Sequence, residues 1–303
     1  MVANCEHLCS ESHVSVLPSR PDILDMKHYI VMIMVLMSIL SCKTNAKEAN
    51  EVVAADSTAT TGRKDTVQAQ TAVKNSVEAI MAKKQVPVLC YHRFEYGRSD
   101  DYNVTPAQFD AQMKILKDSG YQSILPDQLY DYLVYNKPVP EKSFMVTFDD
   151  NRLEHITVAN EVLKKYGFKG VYFIMTITIG KKNYMTREQI AQLAAGGNAI
   201  GNHTFDHHKV TQYTEEDWQK QVVEANKTIN DITGKPVEYF AYPFGISNHT
   251  AAQELDKHYK LSFILSTSRD SLVPHQSVRR MIVAHSWSPQ GMLKVMRSTF
   301  SRG

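Results

Sequence analysis

Phe144-Met145-Val146-Thr147-Phe148-Asp149-Asp150 is the stretch on which the reading of this chain turns. The run Phe144 to Phe148 has the composition of a strand buried on both faces, and it delivers two adjacent carboxylates to its C-terminal end. Neighbouring residues on a regular strand point to opposite faces, so both acids reach one place only if the backbone turns after Phe148. Further on, His203-Thr204-Phe205-Asp206-His207 sets two imidazoles beside a turn-rich segment. An acid pair at one strand end and a histidine pair at another suggest a divalent metal site at the mouth of an α/β barrel.

The flanking sequence supports a barrel. From Val86 onward short strands alternate with helical patterns, the signature of parallel β/α units. Strands are expected at Val86 to His92, Ser123 to Leu125, Phe144 to Phe148, Val171 to Met175, Ala199 to His203, Tyr239 to Tyr242, Leu261 to Ser266 and Arg280 to His285. Between them, Thr105-Pro106 opens a helix that stops at Gly120, and Asp127 to Tyr135 is a second. Glu154 to Tyr166 ends at Gly167, and a capping-box pattern at Thr186 starts a helix that ends at Gly196-Gly197. Thr214 begins a long helix to Thr233, and Ser288-Pro289 caps the last one. The fold class is α/β, a distorted (β/α)7-type barrel with its chemistry at the C-terminal strand ends.

The amino-terminal part reads as an address. Tyr29 to Leu40 is a mostly apolar run after Lys27, shorter than the roughly 20 residues that cross a bilayer as a helix and matching a signal-peptide core. It ends in Ile39-Leu40-Ser41-Cys42, which resembles a bacterial lipoprotein box with Cys42 as the lipidated residue. Met26-Lys27-His28 is the natural start of such a signal. The expected organisation is therefore 1–25 an over-extended start, 26–41 a lipoprotein signal peptide, 42–84 a tether and 85–303 the globular domain. The tether is rich in Ala, Thr, Lys, Asn and Gln, and Val73, Val77, Ile80 and Met81 carry helical spacing suited to docking at its end.

Composition narrows the function. A chain of 303 residues with 43% hydrophobic content buries one sizeable core. The net charge is +2 and the basic residues are dispersed, without the stripe a phosphate backbone requires, so nucleic acid is excluded as a partner. Cys5, Cys9, Cys42 and Cys90 form no zinc-type quartet, and Cys90, inside an apolar strand, reads as a small buried hydrophobe.

Taken singly, one acid of Asp149-Asp150 serves equally well to cap the following helix, and a His-x-x-x-His pair is as common on a helix face as around a metal. Together, Thr147-Phe148-Asp149-Asp150 and His203-Thr204-Phe205-Asp206-His207 resemble the motifs of the polysaccharide deacetylase family, the NodB homology domain of carbohydrate esterase family 4, over roughly Val86 to Ser298. The resemblance implies Asp149 as general base and Asp150, His203 and His207 as ligands of one divalent metal, with Zn²⁺ suited to that set and Ni²⁺, Co²⁺ or Fe²⁺ also accepted. His208 matches nothing in the pattern. Phe240-Ala241-Tyr242-Pro243-Phe244-Gly245 corresponds to the family's groove wall, which implies Tyr242, Pro243 and Phe244 as substrate and oxyanion residues.

The family's usual Arg is replaced by Ala241, as in the poly-N-acetylglucosamine branch, and Arg279 or Arg280 is the candidate replacement beside Asp149. Asn151 stands where a Gly is usual and tolerates a left-handed backbone. An N-acetyl group needs a general acid for its departing amine. His92, in Pro87-Val88-Leu89-Cys90-Tyr91-His92, resembles the acid of that branch, and His285, after Met281-Ile282-Val283-Ala284, is the alternative. Tyr96, Tyr102, Tyr242, Phe244 and Trp287 are candidate groove aromatics, Trp287 foremost.

The implied function is removal of N-acetyl groups from an N-acetylglucosamine-containing envelope polysaccharide by a monomer lipid-anchored to the membrane. Peptidoglycan or chitooligosaccharide deacetylation, O-acetyl ester hydrolysis and non-catalytic glycan binding are the alternatives.

Overall fold

The computed structural model describes residues 73–98, 100–266 and 268–301. The expected start, the signal segment, Cys42 and the tether up to residue 72 lie outside the described residues. Of the stripe expected to dock at the tether's end, Ile80 is buried in helix α1 (Val77–Met81), whereas Val73 precedes the helix and is 87% exposed.

Strands β1 (Val88–Tyr91), β3 (Ser143–Phe148) and β4 (Val171–Ile174) are buried at every position, which is why their sequences are continuous runs and not alternations. They pair in parallel, Tyr91 beside Phe148 and Phe148 beside Tyr172, and continue through β5 (Ala199–Asn202), β6 (Tyr239–Ala241) and β7 (Leu261–Ile264). A short β2 (Gln122–Ser123) adds to β3 off this path.

The closure differs from the expected last strand at Arg280 to His285. Val278–Arg279 (β8) pairs with β7, and Met281–Ile282 (β9) pairs with β1 on the other end of the sheet. Arg280 is the single residue between them, with its N–H donated to Ile264 O at 3.0 Å. One short run thus bridges both ends of the path, with Arg280 at the break between its two pairings.

Alternation along each strand separates two apolar layers. Val88, Met145, Val171, Phe173, Leu261 and Phe263 form an inner layer with Leu129 and Leu133 of α3 (Pro126–Tyr135) packed against it. Leu89, Tyr91, Val146, Phe148 and Tyr172 face outward against helices that include α2 (Pro106–Asp118) and α8 (Pro289–Thr299). Thr105 caps α2 with a reciprocal bond to Gln108, as its sequence predicts. Besides a single turn at Glu215–Asp217, the remaining α-helices are α4 (Asn160–Tyr166), α5 (Arg187–Ala195), α6 (Ala225–Thr233) and α7 (His249–Leu255).

Two of these helices are preceded by π-helical runs, His155–Ala159 before α4 and Trp218–Glu224 before α6. Both runs sit next to the segments that carry the acids and the histidines, a placement that π-helical insertions commonly take at functional sites.

Candidate active site

β3 ends at Phe148, and Asp149 keeps the inward face of Thr147. Its N–H donates to Tyr91 O at 3.1 Å, which fixes it against β1. The turn that both acids require is then made by left-handed backbone at Asp150 (φ 80°) and Asn151 (φ 60°). Asn151 is fully buried and donates to Thr178 Oγ1 at 3.2 Å, which holds the turn from below.

The histidine segment is built with the same device. Thr204 (φ 71°) and His207 (φ 70°) are left-handed, Thr204 N–H donates to Asn202 Oδ1 at 2.6 Å, and His207 N–H donates to Thr204 Oγ1 at 2.8 Å. Gln221 accepts from the N–H groups of Phe205 and Asp206 at 3.0 and 3.3 Å and donates to Asp206 Oδ1 at 2.8 Å. Non-glycine residues in this region carry strain of order 1 kcal/mol or more each, and here they concentrate on the two segments that face one another.

Asp150 Oδ1, His203 Nε2 and His207 Nε2 converge: the carboxylate oxygen is 3.5 Å from the first nitrogen and 3.7 Å from the second. His203 Nδ1 lies 2.8 Å from Ala241 O, so that nitrogen carries the proton and the bare Nε2 faces Asp150. Nε2 is buried with no hydrogen-bond partner. A lone pair aimed at a carboxylate needs a cation between them, so the three residues fit a divalent metal. Burial lowers the His207 pKa to about 4, helped by His203, so its imidazole is neutral and ready to ligate. For His203 burial acts downward, but Asp149 and Asp150 outweigh it and raise its pKa. Burial also pushes Asp150 upward, and His203 overrides it to hold the carboxyl well below its usual range.

Asp149 is engaged otherwise. Arg280 donates to both of its oxygens, Nη1 to Oδ1 at 2.7 Å and Nη2 to Oδ2 at 2.8 Å, and both side chains are buried. Burial alone would raise the Asp149 pKa, but the guanidinium overrides it and brings it to about 2. Cys90, its thiol pKa pushed well up by burial, donates to Asp149 Oδ2 at 3.6 Å. Cys90 is therefore more than the filler its sequence context suggests. Arg279, the other candidate cation, points away and pairs with Gln85.

A cavity of about 560 Å³ opens over these groups. His92 lines it, with Nε2 3.9 Å from Asp149 Oδ2 and its pKa lowered by burial against the pull of Asp149. Its main-chain oxygen lies 2.7 Å from His155 Nε2, a fully buried histidine at the start of the first π-helical run. His285 is not among the residues lining this cavity; it lies beyond β9, where its carbonyl accepts from Gln108. His208 faces Asp217.

Among the groove candidates, Phe244 and Tyr102 line the cavity. Phe244 is left-handed (φ 60°), 53% exposed and edge-on to His207. Tyr242 and Pro243 support this turn from within: Tyr242 is buried, its N–H is taken by Phe263 O and its hydroxyl donates to Gln276 O. Gly245 follows with φ 66°, and a Cβ there would fall 2.2 Å from Leu265 Cβ, so only glycine fits. Trp287 packs on the outer apolar layer and Tyr96 is exposed away from the lining, so neither shapes the cavity.

Sequence reasoning passed over Gln221, Asn202 and His155. They hold main-chain groups of the site from positions with no motif of their own. For Gln221 the only signal is a polar residue on the buried side of an otherwise apolar helix face.

Comparisons agree with this geometry. Residues 136–260 match the polysaccharide deacetylase family. The YxkH protein of Bacillus subtilis (strain 168) is 32% identical over 173 residues, 57% of this chain and 61% of that protein. A poly-beta-1,6-N-acetyl-D-glucosamine N-deacetylase of Staphylococcus aureus (strain MRSA252) is 26% identical over 164 residues, 49% of this chain and 56% of that one. The chain thus spans about three fifths of the length of these curated relatives. The solved deacetylase PplD of Streptococcus pyogenes, in complex with acetate, shares the fold at a TM-score of 0.64 and 24% identity, covering 70% of this chain and 98% of that one. With the acid pair and the histidine pair brought to one barrel mouth, the similarity to the polysaccharide deacetylase family over residues 136–260 coincides with the segments that build this site.

Proposed function

We propose that this protein hydrolyses N-acetyl groups of an N-acetylglucosamine-containing polysaccharide, with Asp150, His203 and His207 holding one divalent metal, Zn²⁺ by the carboxylate-and-imidazole donor set. The observation that carries this reading is the meeting of that triad with the Asp149–Arg280 pair and His92 around one cavity. A cation at the triad supplies Lewis acidity and a water nucleophile available near neutral pH.

The chain's own groups supply the rest. Asp149, ionised and held by Arg280, accepts the proton of the attacking water. His92, half-buried 3.9 Å from Asp149, takes up the proton that Asp149 accepted and passes it to the nitrogen as its bond to the acetyl carbon breaks, so that water and amide become acetate and amine. Phe244, exposed and edge-on to His207, is the residue whose main-chain N–H we assign as oxyanion donor.

The protein acts at the bacterial envelope, tethered through a lipid on Cys42, in keeping with the Staphylococcus relative's polymeric substrate. Among the described residues no helix is long and apolar enough to cross a membrane. Replacement of Cys42 by Ala should move the protein from the membrane to the soluble fraction.

Acetate release from N-acetylglucosamine oligomers tests the activity. Release that chelator abolishes, divalent metal restores and Asp149→Asn removes is expected. A metal-replete protein that releases acetate from none of N-acetylglucosamine oligomers, peptidoglycan and O-acetylated glycans, while Asp149→Asn binds them equally well, would make it a glycan-binding protein instead.

A further inference from the structure

The cavity carries a positive charge that its own walls leave unanswered. Arg93 lines it immediately after His92, with its N–H donated to Tyr102 O at 3.1 Å and its carbonyl accepting from Val104 N at 3.0 Å. The ledge it stands on is built from within: Asn103, fully buried, donates to the carbonyls of Glu95 and Arg98 and accepts from Glu95 N–H. The backbone of Arg93 is thus fixed while its side chain faces the open space.

Every other charged side chain on this wall has an opposite partner. Arg98 and Asp100 bridge at 2.9 Å, Asp149 is gripped by Arg280, and Asp150 faces the two histidines. Among the described residues the Arg93 guanidinium has neither hydrogen bond nor ion pair. Asp100 feels its charge but is already held by Arg98 and by Tyr102 N–H. A divalent ion on a triad with one carboxylate would leave the same cavity more positive still. A guanidinium offers a planar fork matched to carboxylate and phosphate oxygens, and its bonds to these anions are stronger than those to the hydroxyls of a neutral sugar.

We propose that Arg93 is a specificity-determining residue that pairs with an anionic substituent, carboxylate or phosphate, on the sugar beside the acetylated one. The inference rests on the deacetylase reading for its substrate class, and it concerns binding ahead of turnover. An acetylated glycan that alternates with an anionic sugar is then preferred over a neutral one, and a neighbouring glucosaminium is disfavoured.

The test is calorimetric binding to the metal-free protein, without turnover, of three oligomers of equal length. One is neutral N-acetylglucosamine, one alternates N-acetylglucosamine with glucuronate, and one carries a 6-phosphate on alternate residues. Tighter binding of at least one anionic oligomer by about tenfold is expected, the range of a charge-assisted hydrogen bond. Which of the two it is identifies the substituent. Arg93→Gln should erase that preference and Arg93→Lys should restore part of it, with circular dichroism and metal content verifying the fold. In acetate release, the ratio of kcat/KM for the preferred anionic oligomer to that for the neutral one should fall by a similar factor in Arg93→Gln. Equal binding of all three oligomers by the unaltered protein, or a preference that survives Arg93→Gln, overturns the inference. Absence of acetate release from every oligomer defeats the deacetylase reading alone, because the binding comparison decides Arg93 by itself.

Discussion

Arg280 grips Asp149 with both guanidinium nitrogens, at 2.7 and 2.8 Å, from the one-residue gap between strands that form the two ends of the sheet path. Barrel closure and orientation of Asp149 therefore depend on the same residue. The carbonyl of Ala241 orients His203 at 2.8 Å.

Removing Arg280 should accordingly damage stability as well as activity. Arg280→Met leaves a buried carboxylate without its partner, a change that costs about 3–5 kcal/mol. The sign with pH follows from the Asp149 pKa of about 2. That carboxyl is depressed in the folded state, so its contribution is present above the unfolded value and is lost as pH falls towards 2. In Arg280→Met burial dominates instead, the carboxyl is raised, and the variant should regain stability between pH 7 and pH 5. Urea midpoints at the two pH values measure this; a loss below about 1 kcal/mol at pH 7 would contradict the buried pairing.

The two candidate acids separate by position. His92 faces the cavity within 3.9 Å of Asp149, and His285 lies outside the lining. His92→Asn should lower kcat by about 100-fold or more, the scale of general acid catalysis, at unchanged metal content. His285→Asn should change it less than threefold, within the roughly 0.6 kcal/mol of an uninvolved residue. Steady-state rates for both variants settle the order, and the reverse result transfers the acid to His285.

These contrasts mark what the sequence could carry. Buried parallel strands announce themselves as continuous apolar runs, so the barrel, the strand that ends in Asp149-Asp150 and the capped helices were legible. The turn that brings the two acids together was legible as a need, because adjacent residues diverge on a strand, and Asn151 as its means. The closing strand was not. Arg280 interrupts it, and a break of one residue between two-residue pairings leaves no periodicity to read. Cys90 is buried as its apolar neighbours predict, but they do not say that it points at Asp149. Trp287 was overrated because proximity in sequence to a strand end does not fix which face a side chain takes.

Metal binding should release protons to an extent set by His203. The carboxylates Asp149 and Asp150 raise the His203 pKa, whereas burial lowers that of His207 to about 4. In the metal-free protein the His203 contribution to stability is full below the unfolded value near 6.5 and fades as pH rises through the raised one. His207 acts oppositely, and stability falls as pH drops from about 6.5 towards 4. Calorimetry of zinc binding at pH 7, in buffers of different ionisation enthalpy, should find at most about one proton released per metal. Release close to two would mean that His207 is also protonated.

The π-helical run Trp218–Glu224 gives the sharpest test of how the ligands are held. It places Gln221, 2% exposed, so that one side-chain oxygen receives the N–H groups of Phe205 and Asp206 while the amide nitrogen holds Asp206 Oδ1. These bonds span the segment between His203 and His207 and touch neither ring. Gln221→Leu fills the space but strands two main-chain donors, a loss of about 1–3 kcal/mol for each buried group left unmade. The loop can recover part of that only by turning outward, which swings His207 away from Asp150 and leaves His203, fixed by Ala241, in place. Zinc affinity should fall about 10–100-fold, as for other changes in the partners that orient ligands. Zinc titration against a competing chelator measures the fall. If Gln221→Leu binds zinc as tightly as the unaltered protein, the left-handed backbone at Thr204 and His207 holds the loop unaided.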